Sequence, residues 1–123
     1  MSKERIREAV KKVRRDYDMA AMIRIVEAYR DKLDYAHPPI RTNKFLENVY
    51  SKVACEEILK RLKASGDLPF NITALDILEQ YVDQMKHFES EHPNKQHTNY
   101  FIEAAFIGEY FIEQYWFNGL GDN

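Results

Sequence analysis

Between Tyr100 and Phe117 the polar side chains are Glu103, Glu109, Glu113 and Gln114 only. A stretch so long and so apolar reads as a helix that is greasy on nearly every side. Such a helix belongs in the middle of a helical domain or in an interface. Its aromatic and β-branched residues would also suit a strand. A lone strand needs a second one to pair with, and no other segment of the chain offers it.

Four more helices follow from the spacing of apolar residues. Over residues 3–15, Ile6, Ala9, Val10 and Val13 make one narrow stripe between lysines and arginines. Over 19–33, Met19, Met22, Ile23, Ile25, Val26, Tyr29 and Leu33 make a broad face, with Asp18 as its expected N-cap. Pro38 and Pro39 close that segment. Residues 43–64 carry a third pattern, which Ser65 and Gly66 stop. Residues 74–90 follow a Thr73–Asp76 capping box. The aromatic segment, residues 99–117, is the fifth, and Gly108 within it would let a neighbouring helix come close. The expected fold is all-α: one domain over 1–123, an antiparallel bundle of about five helices around a central aromatic C-terminal helix, with 118–123 as a frayed tail.

Composition fits that picture. Of 123 residues, 45% are hydrophobic and 31% charged, values of a chain that buries a core rather than a disordered one. Cys55 is the lone cysteine, flanked by apolar residues and two glutamates, so a buried and inert thiol is expected. No disulfide within the chain, signal-peptide core or long uncharged apolar run is visible, which predicts a cytoplasmic protein with no membrane span.

Charge is divided unevenly. Residues 1–63 hold 16 Lys and Arg against 10 Asp and Glu, while residues 64–123 hold 2 against 10. The two halves are therefore suited to pair with each other, within one chain or between two. The basic first segment also suits a polyanion, and Arg5, Arg7, Lys11, Lys12, Arg14 and Arg15 are the candidate nucleic-acid contacts.

Candidate chemistry is sparse. The spacing Arg30-Asp-Lys-Leu-Asp-Tyr-Ala-His37 resembles the R-x4-6-H signature of HEPN ribonucleases, helical and usually dimeric RNA-cutting domains. The resemblance covers eight residues and lies early in the chain, where the family places its motif late. It implies that Arg30 and His37 share a cleft and act on RNA phosphodiesters, with the imidazole as general acid or base. Glu89-Ser-Glu-His92 holds one E-x-x-H spacing, but a di-metal bundle needs two. Asp76-x-x-Glu79 loosely echoes the magnesium-binding acid pairs of all-α nucleotide pyrophosphohydrolases, without a matching second pair. No phosphate-binding glycine loop or nucleophile elbow occurs. No metal or cofactor is expected.

These features predict a non-enzymatic helical protein that binds another macromolecule, as a homodimer or with a protein partner. The expected interface is aromatic: Tyr100, Phe101, Phe106, Tyr110, Phe111, Tyr115 and Trp116, because such side chains bury much area with few rotors. A HEPN-like nuclease using Arg30 and His37, and a nucleic-acid-binding regulator using the basic first helix, are the alternatives.

Overall fold

The computed structural model describes residues 2–35, 43–69, 71–91 and 98–120. Among them are four α-helices and one 3-10 turn, with no strand. They are α1 (Lys3–Tyr35), α2 (Asn43–Lys63), the 3-10 turn (Ala64–Asp67), α3 (Ala74–Glu91) and α4 (Thr98–Phe117).

The count differs from the expected five because the first two expected helices are one. Helix α1 runs 33 residues without a break. No Gly or Pro lies within it, so nothing in the backbone interrupts the hydrogen-bond ladder. Asp18 caps nothing. It sits mid-helix and accepts a hydrogen bond from Tyr115 Oη at 3.3 Å. What changes near Asp18 is the phase of the apolar pattern. Ile6, Val10, Val13 and Tyr17 each lie nine residues before Arg15, Met19, Met22 and Val26. Nine residues is about two and a half turns, so the two sets occupy opposite sides of one helix.

One buried cluster draws on all four helices. Met19, Met22 and Val26 enter from α1; Ala54, Cys55, Ile58, Leu59 and Leu62 from α2; Ile77, Leu78, Tyr81, Val82 and Met85 from α3; Ala104, Ala105, Ile107, Phe111 and Tyr115 from α4. Each large apolar side chain so buried contributes about 1.5–3 kcal/mol.

Helices α3 and α4 pack most closely. A side chain at Gly108 is what their approach excludes: a Cβ there would lie 2.5 Å from Val82 Cγ2. Further along, the rings of Phe88 and Phe101 meet at 5.4 Å. Helix α3 starts at the expected capping box. The Thr73 amide donates to Asp76 Oδ2 at 2.9 Å, and the Asp76 amide donates to Thr73 Oγ1 at 3.3 Å. Each satisfies an amide that the helix start leaves free.

The end of α4 departs from the expected frayed tail. The Leu120 amide donates to the Tyr115 carbonyl and the Gly119 amide to the Trp116 carbonyl, both at 3.1 Å. This is a Schellman cap, and Gly119 takes the positive φ of 70° that it requires. Leu120 folds back into the core. Residues 121–123 lie outside the described residues.

Candidate interaction surface

Every residue from 2 to 14 is exposed, and the first buried position of α1 is Arg15. At 1.5 Å per residue, Lys3–Tyr35 is about 50 Å long, and its first dozen residues make an arm of about 18 Å. Its apolar stripe is bare: Ile6 is 52% and Val13 68% exposed. Arg5, Ile6, Ala9, Val10, Val13 and Arg14 line an open apolar groove along it. The core-facing side of the same arm is polar, with Glu4, Glu8 and Lys11 one to three turns before Arg15.

Arg15 fixes where the arm leaves the body. Its guanidinium is buried and donates to the backbone carbonyl of Ser65 and, at 3.4 Å, to that of Leu68. Asp16 lies 3.6 Å from it. Of the six basic residues named for nucleic acid, Arg15 is therefore committed inward. Arg5, Arg7, Lys11, Lys12 and Arg14 are exposed.

Helix α4 divides its aromatic residues between two sides. Phe111 and Tyr115 are buried, whereas Tyr100, Phe101 and Tyr110 are half-buried. Tyr29 of α1 packs on Tyr110 at 5.2 Å and edge-on to Phe111 at 5.4 Å. Tyr50 of α2 meets Tyr100 at 5.8 Å. The opposite side carries Ile102, Phe106, Trp116 and Phe117 in the open, with Phe106 65% and Phe117 85% exposed. Of the expected interface set, only Phe106 and Trp116 lie fully on this outer side. Ile102 and Phe117 belong to it too, and a helical wheel of α4 would have grouped them with Phe106.

Acids border this outer side. Glu109 and Glu113 are exposed on α4. Lys86 of α3 reaches Glu109 at 2.6 Å, and that carboxylate holds the ammonium pKa above its usual range. Asp83 and Glu79 are exposed one and two turns before Lys86 on α3. Helix α4 itself contains no Lys or Arg.

The catalytic candidates are not assembled among the described residues. Arg30 faces Asp31 at 3.2 Å and Glu27 at 3.9 Å. His37 lies outside the described residues, and so does His92 of the E-x-x-H spacing. His87 pairs with Glu91 one turn on, at 3.1 Å. Asp76 is occupied by the α3 cap. Among the described residues no three His, Cys, Asp or Glu side chains converge as a metal site. Cys55 is buried, and loss of solvent pushes its thiol up to about 12, so it is not a nucleophile at neutral pH. No described helix is long and apolar enough to cross a membrane.

Compared with known proteins, the chain matches no family model, no curated protein sequence and no solved structure.

Proposed function

We propose that this chain is a non-enzymatic interaction module and that the N-terminal arm of α1 is the element it presents to a partner protein. The observation that carries this reading is the bare stripe Ile6, Val10, Val13 and Tyr17, on the side of α1 opposite its buried face. A dozen helical residues alone are marginal in water. An exposed amphipathic helix of this kind gains stability by laying its apolar side on another surface, with anchors at helical spacing. The frame behind the arm is best described as an antiparallel bundle. Val82 with Gly108 and then Phe88 with Phe101 give contacts in reverse order along α3 and α4.

The test is affinity capture from native lysate with the intact protein and a Val10→Glu/Val13→Glu variant whose helicity and melting are unchanged. Partners retained by the wild type and lost by the variant support the arm as the binding element. Identical partner sets for the two proteins contradict it.

A second reading rests on the exposed Arg5, Arg7, Lys11, Lys12 and Arg14. Five such charges along one helix suit a phosphate backbone, and binding would fall steeply with salt through counterion release. Titration with RNA and DNA duplexes at low salt tests it, and no binding there removes it.

A further inference from the structure

Two bare apolar strips on this molecule are of opposite charge, and they cannot meet within one chain. The first is the outer stripe of the arm, flanked by Arg5, Arg7, Lys12 and Arg14. The second is the outer side of α4, with Ile102, Phe106, Trp116 and Phe117 beside the exposed acids Glu113, Asp83 and Glu79, and with Glu109, which Lys86 already pairs. The arm is continuous with the rest of α1, with neither Gly nor Pro to bend it, and Arg15 ties it to Ser65 at its root. Its stripe points away from its own body. Bringing that stripe onto α4 of the same chain would require breaking α1.

Building on the interaction reading above, we propose that the partner is a second copy of this chain. The basic arm of one protomer lies along the acidic aromatic side of α4 in the other, and the second arm does the same in return. Several features fit this assignment. Ile6 to Tyr17 spans about 17 Å and Ile102 to Phe117 about 23 Å at 1.5 Å per residue, so the receiving side accommodates the arm. Tyr115 meets Asp18 on each molecule, so α4 ends beside the root of the arm. A two-fold exchange therefore buries both strips of both chains. Arm-on-arm pairing would instead bring together two segments that are each strongly basic. Aromatic anchors in the centre with charged flanks are the usual make-up of a specific interface.

The decisive experiment is a disulfide trap on the full chain. Val13→Cys and Phe106→Cys proteins are mixed in a Cys55→Ala background, with each variant alone as control. Rapid cross-linking in the mixture and slow cross-linking in either control is the expected result. It is accompanied by a dimer in light scattering that Val13→Glu and Phe106→Glu each dissociate by tenfold or more. Arg7→Glu/Arg14→Glu weakens the dimer, and adding Glu113→Lys recovers part of the loss. A wild type that stays monomeric at several hundred micromolar, on the order of 10⁻⁴ M, overturns the second-copy assignment and leaves a heterologous partner for the arm. A dimer lost with Val13→Glu but kept with Phe106→Glu overturns the seating on α4 alone. A dimer indifferent to both variants overturns the arm's role in self-association. Circular dichroism and melting of each variant separate loss of association from loss of fold.

Discussion

Val13 and Met22 lie on one helix about two and a half turns apart, and Met22 is fully buried while Val13 faces solvent. That opposition predicts opposite responses to the same substitution. Met22→Glu places a charge in the core and should prevent folding or destabilise the protein severely. Val13→Glu, measured at dilute concentration, should change stability by no more than about 0.5 kcal/mol. Urea unfolding of the two variants checks this, and a large loss for Val13→Glu in dilute solution would mean that the stripe packs within the chain.

Gly108 and Val82 should show a reversal of sign. Gly108→Ala gains about 1 kcal/mol of helix propensity, but its methyl would lie 2.5 Å from Val82 Cγ2, and such overpacking costs about 1–3 kcal/mol. In the wild type the substitution should therefore destabilise. In a Val82→Ala background the obstruction is gone and the same substitution should stabilise. A double-mutant cycle by chemical denaturation measures the coupling. Equal effects in both backgrounds would show that α3 and α4 are less closely packed.

Arg15 holds the root of the arm through the carbonyls of Ser65 and Leu68. Arg15→Ala leaves the buried Ser65 carbonyl without its charged donor and should cost about 1.5–3 kcal/mol. Arg15→Lys recovers only part, because both bonds are made by Nη2 at the tip of the longer arginine side chain, which the shorter lysine does not reach as well. Thermal melts of the two variants give the comparison.

Alkaline pH should destabilise the fold in a defined window. Burial pushes the Cys55 thiol from 9.0 up to about 12, so the folded chain holds a proton that the unfolded chain releases earlier. The stabilisation is complete below about pH 9 and is lost as pH rises toward 12. Tyr29, Tyr81 and Tyr100 are raised too, burial being the first cause in each, and act in the same direction above pH 10. Stability measured from pH 7 to 12 should be flat and then fall, and Cys55→Ala should delay the onset. The same burial makes Cys55 slow to label with thiol reagents unless the protein unfolds.

The sequence and the structure agree where a signal is local. The Thr73–Asp76 pair and the stop at Ser65 lie within a turn of the helix ends that they set. Gly108 stood out as a gap in an otherwise bulky helix, and Val82 fills it. The junction near Asp18 was not legible in this way. A change of apolar phase without a glycine or proline looks like a break between helices. Here it marks a change of side on one helix, and the partner that occupies Asp18 is Tyr115, 97 residues away. Gly119 read as fraying because its role depends on Leu120 finding a place in the core. The division of α4 into buried and bare sides was hidden for a different reason. When nearly all positions are apolar, periodicity carries no direction, and only the neighbours Tyr29, Tyr50 and Val82 decide which side is covered.

The most direct measurement of the arm docking on a second copy of the chain is amide hydrogen exchange over residues 3–14 as a function of protein concentration. An arm whose outer stripe is covered only in a complex should exchange rapidly in dilute solution. It should become protected as concentration rises, while amides of α3 and α4 beneath the core stay protected throughout. Protection of residues 3–14 that is already full at high dilution, or absent at every concentration, would contradict the account.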